Sequence, residues 1–430
     1  MSREMKQSGV PWLKDIPIDW NVERGKNVLV LQKRPVRDDD EVVTCFRDGE
    51  VILRSLRRTE GFTMSDKEIG YQGINQGDIV IHGMDGFAGA MGVSKSTGKG
   101  SPVLIVCTPK YDAIPQYLIY YLRALAMTDV FIALATGIRE RSCDLRWNKI
   151  SELEFILPSS TEQQRIAEFL DRKCAEVDEM IGLQEQIIEE LKAYKQSVIT
   201  EAVTKGLNPD APMKDSGIEW IGEIPEHWET IRVKYIADVQ GRVGFKGYTK
   251  EDLVDAGEGA YTIGGKHITT NVLNLDDAEY ISWEKYYESP EIMVNKGDIV
   301  FAQRGTLGRA AYIDREIGAA TINPSLVLIK NIITNAKYLH WYLISSSMLT
   351  EIDLLNTSTA VPMISQFQIN NIYVPHSPIN EQEAIAEYLN TKCTEIDNLI
   401  SIKLSKIDSL KEYKKSIIYE YVTGKKEVTE

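Results

Sequence analysis

The sequence predicts a mixed α+β fold, in which two similar globular domains are separated by two long antiparallel coiled-coil helices in a pseudo-twofold internal repeat. Three observations predict it. The chain of 430 residues repeats itself at offsets of 208 to 221 residues, each copy contains short apolar segments, and each copy ends in a long segment without proline. Since a domain usually takes roughly 100–200 residues, this length is sufficient for two or three separate cores.

The repeat opens with a segment that carries two tryptophans. Residues 8–20 read SGVPWLKDIPIDW, and residues 216–228 read SGIEWIGEIPEHW. The longest match pairs residues 162–206 with residues 381–425, without a gap and with 21 of 45 positions identical. Because an average composition would supply only about three identities by chance, the match indicates an internal duplication.

Each copy begins with a globular part of mixed secondary structure. Short apolar runs predict two buried strands in each copy, at residues 77–81, 103–107, 297–301 and 326–330. One helix is predicted in each copy, near residues 115–127 and 336–349. The stretches between these elements are rich in Gly, Thr, Ser and Asn and predict loops. We therefore expect globular domains over residues 1–158 and 207–375.

Long helical segments follow both globular parts, over residues 159–206 and 376–430. Between residues 162 and about 203 only Gly182 interrupts strong helix formers, and the second segment has neither glycine nor proline between residues 381 and 422. At a rise of 1.5 Å per residue, each helix would be about 60 Å long. A helix of that length must bury an apolar stripe.

Apolar residues recur every seven positions in both helices and predict a pairing seam. The polar residues Gln184 and Lys403 interrupt one column at equivalent places, which costs stability but fixes register and partner. We therefore expect the two helices to pair with each other in antiparallel orientation. The alternative, that each helix packs separately on its own globular domain, remains open. The predicted seam consists of Leu170, Cys174, Val177, Ile181, Gln184, Ile188, Leu191, Leu389, Cys393, Ile396, Ile400, Lys403, Ile407 and Leu410.

Composition excludes several classes of protein. The net charge of −14 excludes a polycationic DNA coat, although residues 1–150 hold 21 Lys and Arg against 19 Asp and Glu, which is compatible with a reader that uses a few placed cations. No run of about 18 uncharged apolar residues is present, so we expect a cytoplasmic protein. The five cysteines lie far apart and never form C-x-x-C, which favours reduced thiols over disulfides or a zinc cluster.

Motifs of common nucleotide-dependent enzymes are absent from the sequence. Residues 92–100 are one residue too long for a P-loop and end in glycine, so no hydroxyl would reach a metal ion. Neither NPD at 208–210 nor NPS at 323–325 continues into the catalytic loop of an adenine methyltransferase. The five histidines show no metal-ligand spacing. We therefore expect no catalytic residues and no metal, and a chain that is not an enzyme by itself.

Cationic residues in glycine- and serine-rich segments predict a DNA-binding surface in each globular domain. Arginine can make bidentate contacts to guanine, and lysines on loops neutralise phosphates. For any single residue, a solvated charged surface is the alternative. The candidates in the first domain are Arg54, Arg57, Arg58, Lys95, Lys99, Arg139 and Arg141. Those in the second domain are Arg242, Lys246, Lys266, Gln303, Arg304 and Arg309.

The repeated order of these motifs resembles the specificity subunit of type I restriction-modification systems. In each copy W-x-x-x-I-P-x-x-W precedes a globular part with G-D-I-V, and a proline, E-Q and I-A-E-[FY]-L then open the long helix. The most specific pieces are residues 158–170 (PSSTEQQRIAEFL) and residues 378–389 (PINEQEAIAEYL). The resemblance spans essentially the whole chain.

The resemblance implies that both globular parts are target recognition domains, each reading one half of a bipartite, asymmetric site on double-stranded DNA. It implies that the paired helices set the spacer and dock two methyltransferase subunits, which use S-adenosylmethionine to methylate adenine. It also implies restriction subunits that translocate and cleave DNA with ATP and Mg²⁺, while this chain binds no cofactor. The alternative is a non-catalytic coiled-coil scaffold that binds other proteins.

Overall fold

The structure, a computed structural model, consists of two compact units. Unit 1 comprises Met1–Glu185 and Leu404–Glu430, and unit 2 comprises Gln186–Lys403. Each long helix contributes one part to each unit, so the units do not coincide with the predicted domain boundaries at residues 158, 206 and 375. The structure describes residues 3–57, 69–128, 130–134, 145–242, 247–356 and 361–429.

Short strands dominate the globular part of unit 1. In chain order its elements are β1 (Met5–Val10), β2 (Leu13–Pro17), β3 (Asn21–Arg24), α1 (Gly25–Val28), β4 (Leu29–Leu31), β5 (Val43–Cys45), β6 (Val51–Leu53), β7 (Gln72–Ile74), β8 (Ile79–His82), β9 (Met91–Val93), β10 (Gly98–Gly100), β11 (Leu104–Pro109), α2 (Pro115–Met127), α3 (Val130–Leu134), α4 (Trp147–Glu152), β12 (Glu154–Leu157) and the first part of α5 (Ser160–Lys205).

Unit 2 has a similar series after the second part of α5. Its elements are β13 (Met213–Asp215), β14 (Glu223–Pro225), β15 (Glu229–Arg232), β16 (Asp238–Gly241), β17 (Leu253–Val254), β18 (Gly259–Ile263), β19 (Ile268–Thr269), β20 (Val272–Leu273), β21 (Glu279–Ser282), α6 (Trp283–Tyr287), β22 (Ile299–Ala302), β23 (Ala310–Tyr312), β24 (Ala320–Ile322), β25 (Leu326–Lys330), α7 (Ala336–Leu343), α8 (Ser346–Leu355), α9 (Gln366–Asn370), β26 (Tyr373–His376) and the first part of α10 (Ile379–Val422).

Both units contain the same antiparallel four-stranded sheet. Its strand order is β4-β11-β8-β9 in unit 1 and β16-β25-β22-β23 in unit 2. The central strands pair in equivalent register, with Cys107 opposite Ile79 in unit 1 and Ile329 opposite Ile299 in unit 2. The internal repeat predicted from the sequence is thus present in the sheet topology.

The smaller sheets are shared only in part. The hairpin β1-β2 and the pair β3-β12 of unit 1 correspond to β13-β14 and β15-β26 of unit 2. Unit 2 also has a second four-stranded sheet, β17-β21-β18-β24, in which β18 and β24 are parallel. In the corresponding region unit 1 has the two-stranded sheets β5-β6 and β7-β10. The two globular parts therefore differ most in this region.

The core of each unit includes parts of both long helices. In unit 1 Tyr117 of α2 shares one buried cluster with Leu170 of α5 and Val422 of α10. The equivalent residues of unit 2 also share one cluster, and they are Tyr338, Leu389 and Val203. Since each large apolar side chain contributes roughly 1.5–3 kcal/mol when buried, the globular part and the helices stabilise each other.

Within unit 1 the parts of α5 and α10 run antiparallel. The ring centroids of Phe169 and Tyr421 lie 4.4 Å apart, and further along α5 the Nζ of Lys414 lies 2.6 Å from Asp178 Oδ2. Residue numbers therefore rise along α5 as they fall along α10.

Unit 2 contains the equivalent ion pair. Lys195 Nζ lies 2.7 Å from Asp397 Oδ2, and both residues correspond to those of the unit 1 pair at the offset of 219. The same charge pair therefore joins the two helices at equivalent positions in both units. The helices contact each other as well as the globular parts, so the alternative of separately packed helices does not describe either unit.

Every residue of the predicted seam is at least partly buried. Leu170, Cys174, Val177, Ile188, Leu389, Cys393, Ile396, Ile407 and Leu410 are buried. The half-buried members are Ile181, Gln184, Leu191, Ile400 and Lys403. That Gln184 and Lys403 specify register stays a prediction.

The helix predicted near residues 336–349 is interrupted, whereas its counterpart α2 is continuous. Ser345 Oγ accepts a hydrogen bond from Met348 N at 3.3 Å and so begins α8. Gln196 Nε2 of α5 donates to Ile344 O at 2.8 Å and satisfies the carbonyl at the end of α7. Because a serine hydroxyl at an N-cap competes with continuation of the helix, the helical segment splits at this position.

Two findings concern membrane spans and cysteines. Within the described ranges, none of the helices is both long and apolar enough to cross a bilayer. Four cysteines, namely Cys45, Cys107, Cys174 and Cys393, are buried free thiols. Burial raises the pKa of the Cys45 thiol to about 12, so this side chain stays protonated and behaves as a small apolar residue.

Candidate nucleic-acid interface

The loop between β22 and β23, residues 303–309, presents Arg304 to solvent. The backbone N–H groups of Gln303 and Arg304 donate to Ser325 O at 3.0 and 3.2 Å, and Arg304 forms a β-bridge with Met363. The exposed guanidinium contacts the Met363 sulfur at 3.3 Å, and no carboxylate pairs with it in the part of the chain that the structure describes. The backbone of Arg304 is thus held in place, while its guanidinium is accessible to a ligand.

The other two candidates in this loop have internal partners. Gln303 Nε2 donates to Pro324 O at 3.0 Å and to Leu326 O at 3.3 Å. Arg309 is exposed, and its Nη1 donates to Ile268 O at 3.3 Å. These bonds to backbone carbonyls hold the two side chains against unit 2 and leave Arg304 as the more accessible group.

Arg242 and Lys266 are also held within unit 2. Arg242 is only 6% exposed, and its guanidinium donates to Ile322 O at 3.2 Å and to Thr321 Oγ1 at 3.1 Å. Burial lowers the pKa of Arg242, since the charged form loses hydration. Lys266 Nζ pairs with Glu279 at 2.9 Å. Arg242 therefore has a packing role in unit 2, while its DNA contact stays a prediction.

In unit 1 two candidates belong to one group of charges, the Arg57 cluster, formed by Phe46, Asp48, Glu50, Arg57 and Lys95. Arg57 Nη1 donates to Asp48 Oδ1 at 3.0 Å and to Glu50 Oε2 at 3.1 Å, while Nη2 donates to Asp48 Oδ2. The guanidinium carbon lies 4.2 Å from the centroid of the Phe46 ring. Lys95 Nζ pairs with Glu50 Oε1 at 2.8 Å. Both predicted DNA cations are therefore neutralised internally.

The pKa shifts in this cluster follow from its hydrogen bonds. The hydrogen bond from Arg57 lowers the pKa of the Asp48 carboxyl below its ordinary value, and the same bond raises the pKa of Arg57. Asp48 therefore stays ionised, and the pair persists over the physiological pH range.

Comparisons with known proteins relate this arrangement to one family. A family model described as the type I restriction modification DNA specificity domain matches residues 225–412, which contain the loop at 303–309. The putative type I restriction enzyme MjaX specificity subunit of Methanocaldococcus jannaschii is 25% identical over 434 residues, which cover 96% of this chain and 94% of the relative. The MjaVIII specificity subunit of the same organism is 27% identical over 427 residues, 95% of this chain and 93% of the relative. The chain is thus similar to type I restriction enzyme specificity subunits over nearly its whole length, and residues 225–412 match the DNA specificity domain of that family.

Solved structures show the same fold. A chain from a type I restriction-modification system, described in a study of complex assembly and conformational transition, matches with a TM-score of 0.72 and 17% identity over 95% of this chain and 99% of that chain. The HsdS subunit of Thermoanaerobacter tengcongensis matches with a TM-score of 0.53 and 16% identity, over 95% of this chain and 98% of that chain. The predicted mixed α+β fold, with two similar globular parts and two long helices, is thus confirmed.

Unit 1 has a loop that sequence reasoning missed. The loop between β8 and β9, residues 83–89, occupies the position in unit 1 that residues 303–309 occupy in unit 2. It carries no cation of its own, and Arg47 reaches it from outside, with its Nη2 2.8 Å from Asp85 Oδ1. The sequence signal for this loop is the offset of 220 residues between the neighbouring strands, which pairs residues 83–89 with residues 303–309.

The remaining candidates are half-buried or lie outside the described residues. Arg54 Nε donates to Thr44 Oγ1 at 3.1 Å, and Lys99 lies on β10, where it is half-buried. Both side chains have further interactions within the chain. Four candidates lie outside the described residues, namely Arg58, Arg139, Arg141 and Lys246.

Proposed function

We propose that this specificity subunit reads a bipartite, asymmetric site on double-stranded DNA, with unit 1 contacting one half and unit 2 the other. The observation that carries the proposal is the pair of loops at 83–89 and 303–309, which follow equivalent strands but carry different side chains. Because side chains at base edges determine sequence preference, different loops on one framework would read different half-sites.

Arg304 is the residue for which the geometry supports a base contact most directly. Its backbone is fixed, its side chain is exposed, and no carboxylate among the described residues pairs with it. An arginine that donates two hydrogen bonds to guanine contributes about 1–3 kcal/mol of discrimination against other bases.

The helices α5 and α10 would set the number of unread base pairs between the half-sites. The equivalent pairs Asp178–Lys414 and Lys195–Asp397 support this role, because they hold the helices in one register. A spacer set by a protein framework, rather than by base contacts, would be constant in length.

Catalysis would belong to partner subunits. The relatives are named as specificity subunits of restriction enzymes, and we extend this role to a cytoplasmic complex in which two methyltransferase subunits dock on the helices and methylate adenine with S-adenosylmethionine. Restriction subunits would translocate and cleave DNA with ATP and Mg²⁺. The specificity subunit itself would bind none of these cofactors.

Mapping of methylated adenines tests this function in cells. DNA from cells with and without the specificity subunit is compared by a sequencing method that detects N6-methyladenine. We expect one methylated motif that depends on the subunit and has two specified parts separated by a gap of constant length. A single uninterrupted motif, or an unchanged methylation pattern, would contradict the proposal.

Replacement of Arg304 tests the interface. For Arg304→Ala, assembled with its methyltransferase partner, we expect a loss of affinity for the mapped site of about 5- to 150-fold and relaxed preference at one position of one half-site. The matched control is Lys296→Ala, an exposed cation at the other end of β22. Equal losses of affinity in the two variants would contradict a base contact by Arg304. Binding to the duplex that does not depend on salt would favour the alternative of a scaffold that binds proteins.

A further inference from the structure

The Arg57 cluster occupies the atoms with which an arginine reads DNA. A guanidinium recognises guanine by two parallel N–H bonds from one edge of its fork. In unit 1 the edge formed by Nη1 and Nη2 of Arg57 is engaged end-on by the two carboxylate oxygens of Asp48. Arg57 cannot give this edge to a base while the pair with Asp48 persists.

Glu50 extends the same arrangement to Lys95. One carboxylate oxygen accepts from Arg57 Nη1 at 3.1 Å, and the other pairs with Lys95 Nζ at 2.8 Å. Two carboxylates thus neutralise two cations, whereas Arg304 of unit 2 has no carboxylate partner among the described residues. In the Arg57 cluster two cations share two neighbouring carboxylates, whereas the ion pairs of the long helices each join one cation to one carboxylate.

The cluster is accessible enough to exchange partners. The Arg57 side chain is 37% exposed and the Asp48 side chain 54%, so water screens their attraction. Exposed ion pairs contribute little to stability, and a bidentate contact to a base in a groove can therefore replace one. A phosphate can accept the same two bonds, but on arbitrary DNA it does so without the further base contacts of the correct half-site that would offset the lost pair with Asp48.

We propose that Asp48 and Glu50 are specificity-determining residues of the first recognition domain, which hold Arg57 and Lys95 in internal pairs that only the correct half-site displaces. The inference rests on the proposed function. These carboxylates then suppress binding to arbitrary DNA, because they keep two cations away from phosphates until base contacts form. They act against the wrong sequences more than in favour of the right one.

The test uses the subunit assembled with its methyltransferase partner and the duplex identified by methylation mapping. The variants are Glu50→Gln, Asp48→Asn and the double variant; asparagine keeps an acceptor for the Glu50 N–H that Asp48 Oδ1 binds at 3.0 Å. Affinities for the mapped duplex and for one with the first half-site scrambled are measured from 50 to 200 mM salt. The control Asp314→Asn removes one charge from an exposed pair with Arg315 in unit 2.

We expect tighter binding of the scrambled duplex, by about 5- to 10-fold for each variant at low salt, and a slope of log K against log salt that steepens by about 0.9 for each released cation. The ratio of the two affinities should fall, and Asp314→Asn should change none of these quantities.

Two results would overturn the inference. One is an unchanged affinity for the scrambled duplex and an unchanged salt slope in all three variants, with melting curves that match the parent. The other is loss of binding to the mapped duplex alone, which would make the carboxylates direct readers of DNA. If the parent complex binds no duplex in a salt-dependent manner, the proposed function fails and the inference fails with it.

Discussion

Units 1 and 2 join their tryptophan segments to a long helix through the same hydrogen bond. Trp20 Nε1 donates to Glu162 Oε2 at 3.1 Å, and Trp228 Nε1 donates to Glu381 Oε2 at 2.9 Å. Both indoles are fully buried. Around these glutamates the units differ, because Arg3 pairs with the first and His227 with the second. The buried hydrogen bond from tryptophan to glutamate is thus the same in both units, whereas the exposed partner of the glutamate differs.

The contacts between globular part and helix also differ in detail. In unit 1 Asp171 of α5 accepts hydrogen bonds from Gln116 Nε2 at 2.8 Å and from the Tyr120 hydroxyl at 2.7 Å. The equivalent positions of unit 2 line a cavity of about 750 Å³, and they hold Asn390, Lys337 and Trp341. The comparison teaches that packing constrains the buried framework of both copies, whereas partly exposed positions have been free to change.

The largest expected effect breaks the shared framework. Trp20→Ala and Trp228→Ala each remove a fully buried indole and its hydrogen bond, so each should lower the free energy of unfolding by about 3–5 kcal/mol. Denaturant unfolding measures the effect, and Trp283→Ala, at a position 42% exposed, is the control. Tolerance of one indole deletion and not the other would show that the two junctions are not equivalent.

A smaller effect concerns a buried carboxyl that only unit 2 contains. Glu351 of α8 accepts from Trp220 Nε1 at 3.0 Å, and burial raises its pKa from 4.5 to about 7. The equivalent position of unit 1 is Val130. Between pH 4.5 and 7 the folded state binds more protons than the unfolded state, so stability falls as pH rises through this window.

Glu351→Gln should therefore stabilise unit 2 by about 1–3 kcal/mol at pH 8, because it removes the buried charge and keeps an acceptor for Trp220. At pH 4.5 the gain should vanish. Unfolding curves recorded at both pH values give the difference, with the exposed Glu284→Gln as control. A gain that is the same at pH 4.5 and pH 8 would refute the assignment of the effect to ionisation.

The smallest effect sharpens the comparison of the helices. Double-mutant cycles on Asp178–Lys414 and on Asp397–Lys195 should give coupling energies of about 0.3–1 kcal/mol each, since the aspartates are exposed. The two values should agree and should fall together as salt is raised. A coupling present in one unit and absent in the other would limit the pseudo-symmetry to the globular parts.

Much of the fold follows from local sequence patterns. The strand predicted at residues 326–330 coincides with β25, the helix predicted near residues 115–127 coincides with α2, and α5 extends only two residues beyond each end of the pattern at 162–203. These elements have strong apolar periodicity and clear terminal signals. The split between α7 and α8 was not predicted. Its N-cap, Ser345, is a local signal, but the hydrogen bond from Gln196 that satisfies Ile344 O comes from a residue distant in sequence.

The candidate site was less accessible to prediction. A cation in a glycine-rich segment has the same sequence signature whether it is exposed, as Arg304 is, buried, as Arg242 is, or paired with a carboxylate, as Arg57 is. Which of these applies depends on segments that the fold brings together, such as Thr321 beside Arg242. Spacing along the chain carries no information about these partners.

The sequence by itself determined that this protein is a duplication, with two long helices in matching register and the motifs of one family, because periodicity and repetition are properties of neighbouring residues. The tertiary structure alone decided that each long helix belongs to both units and that Arg57 and Lys95 are held by Asp48 and Glu50. Those features arise from contacts between segments distant in sequence, where burial and distance determine the strength of each electrostatic interaction.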